Sequence, residues 1–336
     1  HAQKSNFITG CLKNNLDENQ ANNLFNEIEK FAGYGFNKSH AAAYAMIAYQ
    51  TAYLKANYPL EFFCSLMNCD INNAEKLSIY SDEIKKLGFK LVRPDINNSE
   101  VEFTVSNSDE HGSIVFGLSA IKNIGESSIR EIIKERNING KFKNFSDFLI
   151  RISNNFLNKK ILEALIFSDS LKSIEINQKF LNDKIDEMVS INSNYHKNLN
   201  INQDSLFVDD KLFESQVNSD GYDFWDKEFK LEKEMEVIGF YLSEHPTKNL
   251  KKVFQDVKIN NISDFFKPEN KLLENRSFIA IVNEINERKS KQGKRFCFIN
   301  LADDTGKIDA VCFSDVLEVL DFGLKKGKVY KFKISS

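Results

Sequence analysis

One short segment near the start of the chain carries much of the side-chain chemistry suited to a phosphate. A phenol, an amide, an ammonium, a hydroxyl and an imidazole fall within seven residues, directly before an alanine-rich helical pattern. The start of a helix presents free backbone N–H groups and a positive dipole, and both favour an anion. A capped helix with a buried histidine would account for the same residues. The candidate phosphate-binding residues are Asn37, Lys38, Ser39 and His40.

A second candidate is the turn formed by Lys122, Asn123, Ile124 and Gly125, which lies between two predicted helices. Gly125 is expected to free this turn from a clash with a Cβ atom and to expose consecutive amides where the next helix begins. Backbone amides bind a DNA phosphate without reading a base, so binding there would not depend on sequence. An ordinary glycine turn between two helices is the alternative interpretation.

Candidate metal ligands are few and poorly spaced. Transfer of a nucleotidyl group needs carboxylates that hold two Mg²⁺ ions, and Asp303-Asp304 is the one tempting pair. This pair precedes Thr305-Gly306 in a predicted turn, where aspartate is favoured for local hydrogen bonds. The five cysteines form no CxxC pair and no cluster with histidine at zinc spacing. We therefore predict no catalytic residue, no metal site and no cofactor in this chain.

Helical periodicity dominates most of the chain. Ser39 is expected to cap a helix that continues to about Asn57 and that Pro59 stops. Short strands are predicted within residues 89–116. Residues 191–223 are rich in Asn, Ser and Asp, so they are predicted to form a linker.

The C-terminal part alternates in polarity and predicts three strands, a helix and a fourth strand, which is the order of an OB-fold without its last strand. Phe296 and Phe298 share one face of the second strand, and we predict that both fill the barrel core. Basic residues surround the first hairpin of this barrel and suit single-stranded nucleic acid. They are Arg288, Lys289, Lys291, Lys294 and Arg295.

The composition is that of an ordinary globular protein with room for two or three domains. The chain has 336 residues and a formal net charge of -3, so nucleic-acid binding must depend on local basic patches rather than on total charge. Polar residues interrupt every hydrophobic stretch, so no membrane partner is expected. Scattered cysteines suit reduced thiols and predict a cytoplasmic protein.

Residues 34–55 and the sequence Tyr58-Pro59-Leu60-Glu61-Phe62 resemble the fingers of the C-family of bacterial replicative DNA polymerases. The resemblance implies that five residues face the incoming nucleotide or the template, namely Tyr34, Asn37, Lys38, Ser39 and His40. Residues 92–97 resemble the same family. This likeness strengthens the interpretation of residues 122–125 as a helix-hairpin-helix that binds duplex DNA.

The resemblance also implies a second hairpin at residues 159–171. After its helix the family has Gly-Ala, whereas this chain has Asp169-Ser170. We therefore predict that the second hairpin mainly supports packing, with Lys159 and Lys160 near the DNA backbone.

The same resemblance implies a role for a short peptide within the polar residues 191–223. Gln203, Leu206 and Phe207 lie between the hairpin region and the OB-fold, where the family carries its sliding-clamp peptide. A Gln-x-x-Leu-Phe sequence could also dock against a neighbouring domain. The position in the chain favours clamp binding.

The resemblance covers nearly the whole chain and implies an α+β multi-domain protein: mainly helical fingers and helix-hairpin-helix regions, followed by a partial OB-fold β-barrel. The predicted domains are the distal fingers, a tandem helix-hairpin-helix region, a clamp-binding linker with a connector helix, and a truncated OB-fold, at residues 1–92, 93–190, 191–255 and 256–336. The family synthesises DNA on a DNA template, using palm aspartates and Mg²⁺ that we expect upstream of His1. This chain alone is therefore predicted to be inactive. Expected partners are primer-template DNA, a sliding clamp and other replicase subunits.

Two rival interpretations remain. An error-prone paralogue of the polymerase would share the fold but generally lacks a good clamp peptide. A non-enzymatic DNA-binding module with hairpin and OB domains would not need the segment at residues 34–40. The related Gram-positive polymerase carries its OB-fold near the N terminus, so the order of segments here excludes it.

Overall fold

A computed structural model describes the greater part of the chain. The described residues are 3–33, 38–108, 111–200, 219–248, 250, 259–267, 276–290, 293–320 and 324–334. The chain divides into two compact units, residues 1–62 and residues 63–336. Helices and a curled mixed sheet together confirm the predicted α+β class.

The first unit is helical where it is described, with α1 (Lys4–Lys13), α2 (Glu18–Gly33) and α3 (Lys38–Asn57). Helices α1 and α2 pack through Phe7 and Phe25, whose ring centroids are 5.5 Å apart. Ala21 is fully buried. Phe25 therefore packs against α1, whereas Leu24, Ile28 and Phe31 of α2 are exposed.

Helix α3 is described along its whole length and buries none of its residues. It begins at Lys38, so the prediction that Ser39 caps it from outside is wrong, because Ser39 lies in the first turn. Pro59 is the first residue of α4 (Pro59–Cys69). Proline is tolerated at this position because the first helical N–H has no partner within the helix.

A small sheet follows α5 (Ala74–Lys86). The Asn73 side chain accepts a hydrogen bond from the Lys76 amide and caps the start of α5. Gly88, with φ +87°, ends it and turns the chain into the sheet. The strands are β1 (Lys90–Val92), β2 (Thr104–Ser106) and β3 (Ser113–Val115), in the order β1-β3-β2.

The next helices are α6 (Glu126–Asn139), α7 (Phe145–Arg151), α8 (Lys159–Phe167), α9 (Gln178–Asp183) and α10 (Ile185–Asn200). Helix α10 continues to Asn200, so the prediction of a linker from residue 191 is wrong for its first ten residues. Asn192 explains this, because its buried amide group donates to the carbonyl oxygens of Leu149 and Ile152, at 2.7 and 2.8 Å.

Helix α11 (Lys227–Ile238) joins the helical region to the barrel. It ends at Gly239, whose left-handed conformation (φ +89°) gives the common C-terminal stop. From the barrel side, Lys328 forms ion pairs with Glu228 and Glu232 of this helix, at 3.3 and 3.6 Å.

The barrel is a curled sheet in the order β4-β5-β6-β7, with β8 paired to β5. Its elements are β4 (Ile259–Asn260), β5 (Arg276–Lys289), β6 (Arg295–Asp303), β7 (Gly306–Cys312), α12 (Ser314–Leu320) and β8 (Val329–Ile334). The core contains Phe278, Val282, Ile299 and Leu301. The predicted strand order of a partial OB-fold is thus confirmed.

Two neighbouring core positions are cysteines. Cys297 on β6 lies directly opposite Cys312 on β7, and both thiols are buried. Burial raises the pKa of the Cys297 thiol to about 11.

The prediction that Phe296 and Phe298 fill the core is wrong. They do share a face, but Cys297, Ile299 and Leu301 occupy the core side of β6, and Phe298 is 42% exposed. Apolar residues stand at consecutive positions in this strand, so period-two alternation fixes which residues share a face but not which face is buried.

Candidate nucleic-acid interface

The first predicted DNA contact is the turn before α6. The Lys122 amide donates to the Val237 carbonyl at 2.9 Å, which fixes the turn to the end of α11. Asn123 adopts the left-handed conformation, with φ +70°. Gly125 has φ -73° and ψ 144°, and a Cβ atom there would approach nothing closer than the Ser127 Oγ, at 3.8 Å. The expected steric reason for Gly125 is therefore wrong, because Asn123 makes the turn.

Consecutive amides lie at this turn. Among the described residues, the backbone N–H groups of residues 123–127 donate to no acceptor. Gly125 and Glu126 are exposed, and Glu126 is the first residue of α6. The start of a 14-residue helix concentrates donors and positive dipole at this point. Such an arrangement can bind a phosphate oxygen without any base contact.

The negative charge of Glu126, which lies within this run of amides, is compensated by a cation. Glu126 accepts from Arg130 one turn along α6, at 2.5 and 2.8 Å. The turn is also supported from behind, since a Cβ atom on Gly239 would lie 2.6 Å from the Ala74 Cβ and 2.8 Å from the Lys122 Nζ. Three separate segments therefore meet at Gly239 and hold the turn in place.

The start of α8 differs from the start of α6. The Asn158 side chain accepts from the Ile161 amide at 3.0 Å, so the helix caps itself. Lys159 pairs with Asp186, and this hydrogen bond is the main reason that the pKa of Lys159 is raised. Lys160 is exposed. The two predicted DNA-contacting lysines thus lie on the surface, with one of them already in an ion pair.

The end of α8 carries a feature that sequence reasoning missed. Asp169 has φ +64° and a side chain only 3% exposed. Its carboxylate pairs with Arg93 at 2.7 Å, Lys230 at 3.3 Å and Lys172 at 3.9 Å. The available signal was the departure from Gly-Ala to Asp169-Ser170.

The outer face of the barrel combines aromatic and basic side chains. Phe296 and Phe298 have ring centroids 5.6 Å apart, and the Arg288 guanidinium lies 5.8 Å from the Phe298 ring. Val311, opposite Phe298 on β7, is 45% exposed. An outward-facing aromatic pair beside a guanidinium can stack on nucleic-acid bases.

The basic hairpin between β5 and β6 lies at the edge of this face. Lys289, Lys294 and Arg295 are exposed. Arg295 pairs with Glu287 at 2.5 Å, and this hydrogen bond is the main cause of the lowered pKa of that carboxyl. Lys291 lies outside the described residues.

Asp303 is a turn residue. Its Oδ1 accepts from the Thr305 amide, the Thr305 hydroxyl and the Gly306 amide, at 2.8, 2.6 and 3.0 Å, and its Oδ2 accepts from the Ile262 amide at 3.0 Å. This hydrogen bonding does not suit a Mg²⁺ ligand. Among the described residues, no three His, Cys, Asp or Glu side chains converge as a metal site.

The other predicted site residues are described only in part. Lys38, Ser39 and His40 lie in the first turn of α3, where the His40 and Tyr44 rings make an edge contact with centroids 4.4 Å apart. Tyr34 and Asn37 lie outside the described residues. So do the clamp-peptide candidates Gln203, Leu206 and Phe207.

Two sequence profiles match this chain. One, described as a helix-hairpin-helix motif, covers residues 88–181. The other, described as an OB-fold nucleic acid binding domain, covers residues 277–333. Fold and profiles together define a class of protein that combines a helix-hairpin-helix region with an OB-fold of the nucleic-acid-binding type.

Comparison with curated proteins narrows this class. The chain is 36% identical to the DNA polymerase III subunit alpha of Borreliella burgdorferi and 34% identical to that of Buchnera aphidicola, in each case over 97% of this chain and 28% of the relative. Identity to the Caulobacter vibrioides protein of the same name is 31%, over 99% of this chain and 29% of the relative. Relatives named DNA polymerase III subunit alpha therefore match nearly the whole of this chain, which spans little more than a quarter of their length.

None of the described helices is both long enough and apolar enough to cross a membrane.

Proposed function

We propose that this chain serves DNA replication as part of a cytoplasmic DNA polymerase III alpha subunit and that residues 122–127 bind the phosphate backbone of duplex DNA. The observation that carries the proposal is the run of amides at residues 123–127 without acceptors among the described residues. The helix-hairpin-helix profile over residues 88–181 supports it. Binding through amides is independent of base sequence and weakens with salt.

A proline tests this proposal, because it removes one N–H group from the binding site. Glu126 is the first helical residue, where proline is compatible with the helix, and Gly125 already has the extended conformation that precedes proline. Glu126→Ala is the matched control, since it also removes the Arg130 ion pair but keeps the amide. We expect Glu126→Pro to bind duplex DNA about tenfold more weakly than Glu126→Ala, the value of one charge-assisted hydrogen bond.

The measurement is a salt series with duplexes of two unrelated sequences. For three to five neutralised phosphates, log K against log salt should have a slope of about -3 to -4 in both duplexes. Equal affinity of the Pro and Ala variants, with both folded, would remove residues 123–127 from the interface.

The barrel supplies a second proposed contact, with single-stranded DNA. The half-buried Phe296 ring, the exposed Phe298 ring and the Arg288 guanidinium support it, as do the exposed Lys289 and Lys294. A stacked base is worth about 1–3 kcal/mol, so Phe298→Ala should weaken oligothymidine binding about tenfold. Ile79→Ala, at a residue 49% exposed on α5, is the control for loss of exposed apolar surface.

Clamp tethering is proposed for Gln203, Leu206 and Phe207 on the basis of the sequence alone. Two apolar anchors dominate the affinity of a short extended peptide. Replacing Leu206 and Phe207 together by Ala should remove roughly 3–5 kcal/mol of binding to the sliding clamp. The Asp204→Ala, Ser205→Ala double variant should bind as the unchanged chain does. Equal affinity of both double variants in a titration would exclude this peptide.

Lys38, Ser39 and His40, together with Tyr34 and Asn37, are proposed to face the nascent base pair in the whole polymerase. We further propose that its Mg²⁺-binding carboxylates lie outside residues 1–336, because Asp303 is engaged in its own turn, and that other replicase subunits are partners of the whole polymerase. The chain alone should then extend no primer with dNTPs and Mg²⁺. Extension above a no-protein control would contradict this part of the proposal.

A further inference from the structure

Three cationic side chains from separate parts of the sequence surround one buried carboxylate. Arg93 follows β1, Lys172 follows α8, and Lys230 lies on α11. Their nitrogens approach the same oxygen, Oδ2 of Asp169, at 2.7, 3.9 and 3.3 Å. We call these four residues the Asp169 cluster.

The charges of the Asp169 cluster do not balance. One carboxylate faces three cations, and none of the three has another ion-pair partner among the described residues. The carboxylate is buried, whereas the side chains of Arg93, Lys172 and Lys230 remain 37%, 57% and 32% exposed. Like charges held this close repel one another, so an anion that contacts the exposed nitrogens is stabilised.

We propose that the Asp169 cluster binds a phosphate of duplex DNA through Arg93, Lys172 and Lys230, with Asp169 as the residue that positions them. The inference rests on the proposed duplex binding by residues 122–127 and adds a second contact to it. Guanidinium and ammonium groups are the usual side-chain partners of phosphate.

The position of the cluster favours a duplex as the source of that phosphate. Lys230 and Val237 are seven residues apart on α11, and Val237 accepts the amide of the first hairpin. Seven helical residues span about 10 Å, and a duplex presents a charge about every 1.7 Å along its axis. One duplex can therefore reach both contacts.

A purely structural cluster would behave differently. Ion pairs that only joined Asp169 to α11 and to the segment after β1 would affect unfolding but not the number of phosphates neutralised. The salt dependence of DNA binding is therefore the decisive readout.

The first test neutralises Lys172 and Lys230 singly and together in the 336-residue chain. Asp169 keeps Arg93 in every variant, so the fold is expected to persist. Each Lys→Gln change should reduce the magnitude of the salt slope by about 0.9 and weaken duplex affinity about five- to tenfold at 0.1 M salt. The control is Lys267→Gln, which removes a lysine that is 59% exposed and paired with Asp264 at 2.6 Å.

The second test uses Asp169→Asn. Asparagine tolerates a left-handed backbone and has nearly the same shape, so the variant mainly removes the negative charge from the cluster. A phosphate-binding cluster should then bind duplex DNA several-fold more tightly. A purely structural cluster gives unchanged or weaker binding.

Three outcomes separate the proposals. Loss of salt slope in the lysine variants but not in Lys267→Gln supports the Asp169 cluster as a phosphate site. Unchanged slopes in the Lys172→Gln and Lys230→Gln variants overturn it and leave the first hairpin as the duplex contact. Absence of duplex binding by the unchanged chain overturns the proposed function itself.

Discussion

Two turns in the helical region use the same backbone conformation for opposite purposes. The turn before α6 has Asn123 at φ +70°, and the turn after α8 has Asp169 at φ +64°. Both are residues that tolerate the left-handed region better than other residues with a Cβ atom. Both lie within the segment that matches the helix-hairpin-helix profile.

The hydrogen bonding of the two turns differs. The first precedes a helix, and the amides of residues 123–127 have no acceptor among the described residues. The second follows a helix, and the amides of Asp169 and Ser170 donate to the carbonyls of Ile166 and Leu165, at 3.1 and 3.0 Å.

The direction of the helix decides what each turn can bind. A helix start offers donors and positive dipole, so its backbone alone suits an anion. A helix end offers acceptors, so a positive surface there must come from side chains, as it does at the Asp169 cluster.

The largest expected effect comes from removing the carboxylate of the second turn. Asp169→Ala leaves three cations without their partner and puts Ala in a left-handed conformation, so we expect a loss of roughly 3–5 kcal/mol in the free energy of unfolding. Urea titration measures it. Asp186→Ala, which breaks only the exposed Lys159 pair, should leave the midpoint unchanged. Equal midpoints for the two variants would mean that the buried charge is unimportant.

An intermediate effect is expected from the backbone of the first turn. Asn123→Val forces a β-branched residue to φ +70° and should destabilise the fold by about 1–2 kcal/mol. Gly125→Ala should change stability little, since φ is -73° and no atom lies within 3.4 Å of the added Cβ. If Gly125→Ala lowered the melting temperature more than Asn123→Val, the residue that needs the left-handed conformation would be Gly125 and not Asn123.

The smallest effect is expected at the start of α8. Lys159→Gln removes an exposed cation that Asp186 already holds, so neither stability nor duplex affinity should change measurably. Lys172→Gln, at the other end of this helical segment, should lower duplex affinity in the same assay. If Lys159→Gln lost the affinity instead, the second hairpin would contact DNA by its helix start, as the first does.

The sequence predicts most of the architecture because its periodic elements are strong. Pro59 and Gly88 mark element boundaries, and the barrel strands follow from alternating polarity. The prediction of local structure is wrong where a contact with a distant part of the chain determines that structure. Asn192 joins α10 to two carbonyls that are 40 and 43 residues away in sequence, a contact that no local pattern reveals.

The candidate sites likewise divide into one that a local sequence pattern predicts and others that depend on the fold. Residues 122–125 follow from a local turn pattern, so the place is predictable although the residue with positive φ is not. The Asp169 cluster joins residues 93, 169, 172 and 230, and only the fold brings them together. The outward position of Phe296 and Phe298 depends on which face of β6 meets the core, and consecutive apolar residues leave that choice open.

Labelling of the buried cysteine pair can report how often the barrel opens. Because burial raises the pKa of the Cys297 thiol to about 11, far less of it is thiolate near neutral pH than of an ordinary cysteine, so alkylation in the closed barrel is slow. An alkylating reagent therefore reacts with these thiols mainly after β6 and β7 separate. The rate at which label accumulates on Cys297 and Cys312 therefore counts these separations, and a change in that rate when single-stranded DNA is added would report how strongly the bound strand holds the sheet closed.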